Sequence, residues 1–305
     1  MSAPSRGAAE PSRPPLAPIG LVLGSVCSVQ IGAAIAKGLF EDLGPAGTVF
    51  LRTGFAALVL IAIWRPWRAL RTARLSKDPA ERGSIPTLLA FGLALAAMNL
   101  CFYAALSRIP LGIAVTLEFT GPLAVAVAGS RRALDVLWVT LAAAGILLLA
   151  PLGRLFGASS GGVDPLGAGL ALLAGAFWAA YILLAGRTGR AYPGGAGLAL
   201  AMGLSTVLLL PVGVWDAGAA LLNPVLLAAG FGVAMLSSAI PYSLEIEALR
   251  RLPARVFGVL MSLEPAVGAA AGFVVLGETL NARSATAIAL VVAASAGVSL
   301  VRSKA

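Results

Sequence analysis

The sequence predicts an all-α integral membrane protein of ten transmembrane helices, arranged as two inverted five-helix repeats. Three observations lead there: ten hydrophobic stretches of about twenty residues each, basic residues concentrated in every second gap between them, and a stretch of the chain that matches itself at a shift of 143 residues.

About 20 apolar residues at 1.5 Å rise span a ~30 Å hydrocarbon core, where only a helix or a closed barrel satisfies its own backbone. The stretches do not alternate polar with apolar, so they read as helices. They run from Ile19 to Leu39, Ala46 to Trp64, Thr87 to Ser107, Leu111 to Ser130 and Leu134 to Pro151, then Leu166 to Gly186, Ala196 to Trp215, Pro224 to Leu244, Val256 to Leu276 and Ser284 to Val301. Residues 1–18 are rich in Pro, Ser and Ala and are expected to form a disordered cytoplasmic tail. The first apolar run is too long for a signal-peptide core and is read as a retained helix. With 59% hydrophobic and 11% charged residues, little polar surface remains to coat a water-soluble globule.

A net charge of +9 would suit a nucleic-acid partner, but the positions of the charges argue otherwise. With the N-terminus in the cytoplasm, 17 of the 22 Lys and Arg fall on the inside. Lys37, Arg52, Arg108, Arg154 and Arg283 are the rest. This is the positive-inside bias of a multi-pass protein with both termini cytoplasmic, and it implies no nucleic acid.

The self-match aligns Ala105–Gly129 with Ala248–Gly272 without gaps, and nine of the 25 pairs are identical, among them Arg108/Arg251, Pro110/Pro253 and Pro122/Pro265. Five helices separate the copies, so the two must cross the membrane in opposite directions. The first repeat is placed at 19–152 and the second at 166–301. Inverted halves that rock about a site near the midplane give one state open to each side, as a solute carrier requires. Two such halves forming a pore remain an alternative.

Several chemistries are excluded. The chain has no histidine, which removes a Ser-His-Asp triad and a His metal site. Its two cysteines, Cys27 and Cys101, fall within helices and make no metal-binding spacing. No nucleophile–base pair or phosphate-binding loop is present, so an enzyme is not expected, and neither is a cofactor or a metal.

Ionisable side chains at bilayer depth usually line a water-filled cavity or pair with one another. Arg52 and Glu118 each lie seven residues into their helices, about 10 Å deep, and equal depth permits an ion pair. Glu264 reaches the same zone from the other side. Pro122 removes the hydrogen bond to the Glu118 carbonyl, and Pro265 frees that of Met261. A kink is expected beside each carboxylate. Trp178 and Tyr181 share a face of the sixth helix, Asn99 and Tyr103 share one of the third, and Gln30 lies within the first. Ordinary interhelical packing is the competing reading for each of these. Trp64, Trp67, Trp138 and Trp215 sit near helix ends, as an aromatic belt would. Lys37 is expected to snorkel to the interface, and Glu245 and Glu247 to be solvated beside Arg250 and Arg251. Ala171, Gly175 and Ala179, like Gly268 and Gly272, have small-xxx-small spacing for close helix contact.

The segments RIPLGIAVTLEFTGPLAV (108–125), followed by Ser130-Arg131-Arg132, and IPYSLEIEALRRLPARVFGVLMSLEPAVGAAAGFVVLGETL (240–280) resemble the EamA-type carriers of the drug/metabolite transporter superfamily. The resemblance covers nearly the whole chain after the tail. It implies ten helices in two EamA repeats and efflux of small amino acids of the threonine and homoserine kind from the bacterial inner membrane, by proton antiport. A zwitterion needs a cation for its carboxylate and an anion for its ammonium. Arg52 is expected to contact the former and Glu118 the latter, with Glu264 or Glu118 exchanging a proton. The expected partners are thus a small zwitterionic solute, protons and the lipid bilayer, and a homodimer is compatible with them. An exporter of drugs, nucleobases or aromatic metabolites, with Trp178, Tyr181, Tyr103 and Tyr242 as a stacking pocket, is the alternative within the class. A channel or membrane-embedded sensor is the alternative outside it.

Overall fold

The computed structural model describes residues 16–69, 84–128, 133–149, 163–192, 194–252 and 254–301. Most of the expected tail, the basic loop after Trp67 and the residues around Arg131 and Arg154 lie outside that set. No strand occurs among the described residues. The helices are α1 (Leu16–Gly38), α2 (Phe40–Trp64), α3 (Ile85–Leu106), α4 (Leu111–Glu118), α5 (Thr120–Ala128), α6 (Ala133–Leu149), α7 (Pro165–Ala191), α8 (Ala196–Ala217), α9 (Pro224–Ala234), α10 (Ile240–Leu249), α11 (Ala254–Met261), α12 (Glu264–Leu276) and α13 (Ala282–Val301). A 3₁₀ turn, Gly218–Leu222, follows α8, and a π-helical turn, Met235–Ala239, joins α9 to α10.

Eight stretches are long and apolar enough to cross a membrane, with α4–α5, α9–α10 and α11–α12 each counting as one. The expected fifth and tenth helices coincide with shorter apolar stretches, Val136–Leu148 and Ala282–Gly297. The outer surface is equally apolar: Leu58, Val136, Val207 and Phe273 are each more than 60% exposed, which only a lipid solvent makes favourable. The chain is a multi-pass membrane protein.

Helix starts follow local chemistry. Ser84, Asp164 and Asn223 each accept a hydrogen bond from the first turn of α3, α7 and α9, and each helix has a proline in its first two positions. Within α2, Gly44 adopts φ 66°, so the regular helix begins at Pro45. Asp216, at the end of α8, accepts from the Ala46 and Gly47 N–H groups at 2.8 and 3.4 Å and caps this inner start. Gly277, at φ 66°, ends α12 with its N–H bonded to the Gly272 carbonyl.

α2 packs along α8, α3 along α7, α1 along α10 and α12, α4 against α12, and α6 along α13. Close contact is made where side chains vanish. A Cβ at Gly175 would lie 2.6 Å from the Glu118 carbonyl oxygen, and one at Gly121 would lie 1.9 Å from that of Gly175. The Ala171-Gly175-Ala179 stripe thus brings α7 against the α4–α5 junction. Trp67 and Trp215 are exposed, as an aromatic belt would be. Trp64 and Trp138 instead fill space over Gly194–Gly195 and Gly297, because those glycines leave gaps of ring size.

Candidate functional site

α4 and α5 are separated at Phe119, and α11 and α12 at Ser262–Leu263. Both breaks lie within three residues before a proline, Pro122 and Pro265. A proline ring displaces the backbone of the preceding turn and supplies no N–H to the carbonyl four residues back. The second break therefore falls just before Glu264. Glu118 closes one half-helix and Glu264 opens another.

Between these breaks lies a cavity of about 280 Å³, lined by Gln30, Arg52, Asn99, Glu118, Trp178, Tyr181, Tyr242 and Glu264 together with Ser237, Pro241 and Glu245. Eight of the side chains singled out in the sequence thus share one space. Tyr103 stands behind it, fully buried, with its ring 5.5 Å from the Arg52 guanidinium carbon and its hydroxyl 3.5 Å from Nη1. Trp178 meets Phe119, at the helix break, edge to face at 5.6 Å, and Tyr181 packs on Phe91.

Arg52 is not ion-paired to Glu118, contrary to what their equal depth permitted. Its Nη1 donates to Asn99 Oδ1 at 2.8 Å and its Nη2 to the Ser237 carbonyl at 3.5 Å, and Asn99 is itself fixed through Nδ2 to the Leu95 carbonyl. The guanidinium is oriented by neutral hydrogen-bond partners and shares the cavity with Glu118 without a direct ion pair. The Ser237 acceptor has a local origin. Pro241 offers no N–H to the carbonyls of Leu236 and Ser237, five and four residues back. Ser28 Oγ donates to the former at 2.7 Å and Arg52 to the latter. The π-helical turn just before Pro241 belongs to the same disruption. Pro241 was the signal that could have marked Ser237.

Glu118 and Glu264 are 8% and 6% exposed. Glu245 is a third carboxylate in the cavity, half-buried, with Oε1 accepting from Ser25 Oγ at 2.7 Å. The expected solvation of Glu245 is thus corrected, since α10 turns it inward. Glu247 does pair with Arg250 and Arg251. Three carboxylates and one guanidinium suit a solute bearing both charges, or one that exchanges with a proton.

At the end of the bundle away from Glu245, α1, α4 and α12 are tied together. Lys37 Nζ donates to Glu278 Oε1 at 2.7 Å and to the Ile109 carbonyl at 2.9 Å, while Glu278 Oε2 accepts from the Leu111 N–H at 2.8 Å. Lys37 is therefore a cross-link and not a snorkelling side chain. Below it Ala36, Tyr103, Leu106, Leu111 and Ala114 are all fully buried, so this end is sealed. Tyr181, Tyr242 and Glu245, at the opposite end, are half-buried. Among the described residues no cluster of His, Cys, Asp and Glu could hold a metal ion.

The description "EamA-like transporter family" matches residues 165–300. The threonine/homoserine exporter RhtA of Salmonella typhimurium strain LT2 is 46% identical over 283 residues, 93% of this chain and 91% of its own. RhtA of Escherichia coli strain K12 is 44% identical over the same shares. A chain of known crystal structure, 20% identical, covers 94% of this chain and 97% of its own with a TM-score of 0.56, a likeness of fold. With that identity spread over nearly all of its length, the chain belongs to the EamA-like transporter family.

Proposed function

We propose that this protein exports small amino acids of the threonine and homoserine kind across the bacterial inner membrane by proton antiport, through alternating access about the cavity. The observation that carries the reading is the cavity itself: one oriented guanidinium and three carboxylates enclosed in a protein 46% identical to a threonine/homoserine exporter. In this reading Arg52 holds the solute carboxylate, Glu118 the ammonium, and Glu264 or Glu118 carries the proton. The lipid bilayer, the zwitterion and protons are its partners.

The reading uses ten membrane-spanning helices, with Val136–Leu148 and Ala282–Gly297 as the fifth and tenth, and both termini in the cytoplasm. Three features support two inverted repeats, at 19–152 and 166–301. The helix breaks at Phe119 and Ser262 correspond under the shift of 143 residues found in the sequence. The packing of α3 with α7 is matched by that of α10 with α1, as an exchange of halves requires. Broken helices near mid-depth are how transporters of inverted topology expose backbone to a solute. With Lys37 on the periplasmic side, the sealed end faces outward and the cavity opens toward the cytoplasm, where an exporter loads.

The test is counterflow of labelled threonine and homoserine in proteoliposomes. Wild-type protein exchanges both with a rate that responds to pH, whereas Glu118→Gln and Glu264→Gln each slow exchange or abolish its pH response. Unchanged rate and pH dependence in both variants would refute the assignment, and conductance without counterflow would favour a channel.

A further inference from the structure

A groove of about 330 Å³ runs along the outside of the bundle between α2 and α8, walled by Phe50, Gly54, Leu58 and Ile61 on the one helix and by Gly203 and Thr206 on the other. It shares no lining residue with the central cavity. Two glycines sink it. A Cβ at Gly54 would lie 3.5 Å from Thr206 Cγ2 and one at Gly203 would lie 3.6 Å from Ile61 Cδ1, so side chains there would fill the depression without a clash. Thr206 is the one polar side chain among the described lining residues, and its hydroxyl is turned back to the Met202 carbonyl at 2.9 Å. A polar ligand would find no partner in this groove, whereas a hydrocarbon chain needs none.

The groove also has a length and an end. From Phe50 to Ile61 the helix rises about 16 Å, which matches one leaflet of a ~30 Å hydrocarbon core. That suits a single acyl chain better than a neighbouring helix, which would run through both leaflets. One turn beyond Ile61, α2 ends at Arg65, whose N–H bonds to the Ile61 carbonyl at 2.9 Å. Arg65 has φ 44°, the one positive φ on a non-glycine among the described residues, and it stands where a helix commonly ends in glycine, as α12 does at Gly277. An arginine is thus kept where its backbone is strained, which marks a position held for its side chain. That side chain is exposed and has no hydrogen bond or ion pair with the described residues. The Arg68 N–H bonds to the Arg65 carbonyl at 3.1 Å, and Trp67 and Arg68 are exposed while Ala69 is buried against Tyr192 and Ala196. Cations and an indole therefore stand at the end of an apolar groove, in the order in which a phospholipid presents its phosphate, its interfacial region and its chain.

We propose that the groove between α2 and α8, together with Arg65, is a binding site for an anionic phospholipid. The phosphate accepts from Arg65, with Arg68 adding attraction, Trp67 lies at headgroup level, and one acyl chain follows Gly54 and Gly203 toward the midplane. A lipid of net negative charge is selected because cations are set against its headgroup.

The experiment is native mass spectrometry of the full-length protein in detergent with added dioleoylphosphatidylglycerol or dioleoylphosphatidylcholine, for wild type, Arg65→Gly and Gly203→Leu. Wild type is expected to hold one phosphatidylglycerol about fivefold more tightly than phosphatidylcholine, the attraction of about one arginine for an anionic headgroup. Arg65→Gly should lose that preference while melting no lower than wild type without lipid, since glycine adopts the left-handed conformation without strain. Gly203→Leu should weaken binding of both lipids by about threefold or more, because its side chain takes the space of the acyl chain. Wild type that does not distinguish the two lipids, or Arg65→Gly that holds phosphatidylglycerol as tightly as wild type, would overturn the inference. Unchanged lipid binding by Gly203→Leu would overturn it too, and a dimer that forms at the expense of lipid and is lost in Gly203→Leu would make a second copy of the chain the occupant instead.

Discussion

Replacing Lys37 with Met removes an ammonium while keeping most of the side-chain volume, and it should unseal one end of the bundle. Lys37 Nζ makes two hydrogen bonds that join α1 to the ends of α12 and α3, at 2.7 Å to Glu278 and 2.9 Å to the Ile109 carbonyl. The two charged side chains are only 22% and 15% exposed. Breaking a fully buried pair costs about 3–5 kcal/mol, and the partial exposure here lowers that to about 2–3 kcal/mol, in line with one charge-assisted hydrogen bond. If the bonds form only with this end closed, the equilibrium shifts toward the open form by about 30- to 150-fold. The assay is alkylation of Ala36→Cys by a membrane-impermeant maleimide added from the side of the sealed end, in a background without Cys27 and Cys101. Ala36 is fully buried beneath the cross-link, so its thiol should react slowly with Lys37 present and at least about tenfold faster with Met. Equal rates would refute the idea that this ion pair holds the end shut.

Other substitutions test the site and its supports. Gly175→Ala sets a methyl 2.6 Å from the Glu118 carbonyl oxygen and should destabilise by about 1–3 kcal/mol, read as a lower melting temperature in detergent; no change would mean that α7 does not bear on the helix break. Asp216→Ala strips the acceptor from the Ala46 N–H and should cost about 0.5–2 kcal/mol, whereas Asp216→Asn should recover most of it. Arg52→Lys keeps the charge but cannot reach Asn99 Oδ1 and the Ser237 carbonyl together, so KM for homoserine should rise about tenfold with a smaller change in maximal rate. Glu245→Gln should weaken apparent affinity for amino acids about three- to tenfold, since it removes one of the three carboxylates lining the cavity, and an unchanged KM would return Glu245 to a solvated role.

Much of this architecture was legible in the sequence because the bilayer is a demanding solvent. Long apolar runs marked the spans, and the capping residues Ser84, Asp164 and Asn223 stand where α3, α7 and α9 begin. Prolines were the most informative single residues, since a missing N–H has a fixed consequence for the carbonyl four positions back. Pro122 and Pro265 mark two helix breaks, and Pro241 carries the same signal for the Ser237 carbonyl. Depth along a helix also gathered Arg52, Glu118 and Glu264 near one level. Azimuth was less accessible. Whether a side chain at a given depth faces a partner depends on rotation about the helix axis, so Arg52 meets Asn99 in place of Glu118, and Glu245 points inward despite lying near a helix end. Long-range pairs such as Lys37–Glu278 and Ser25–Glu245, more than 200 residues apart, leave no trace in local spacing.

The most direct measurement of the central claim is solute protection of a thiol placed in the cavity wall. Met261→Cys sits at the α11–α12 break and lines the cavity, so its alkylation reports whether that space is occupied. Homoserine should slow the reaction in a saturable manner and with the same half-maximal concentration as its counterflow. Alkylation at the same rate whatever the homoserine concentration, in protein that still exchanges it, would place the route elsewhere.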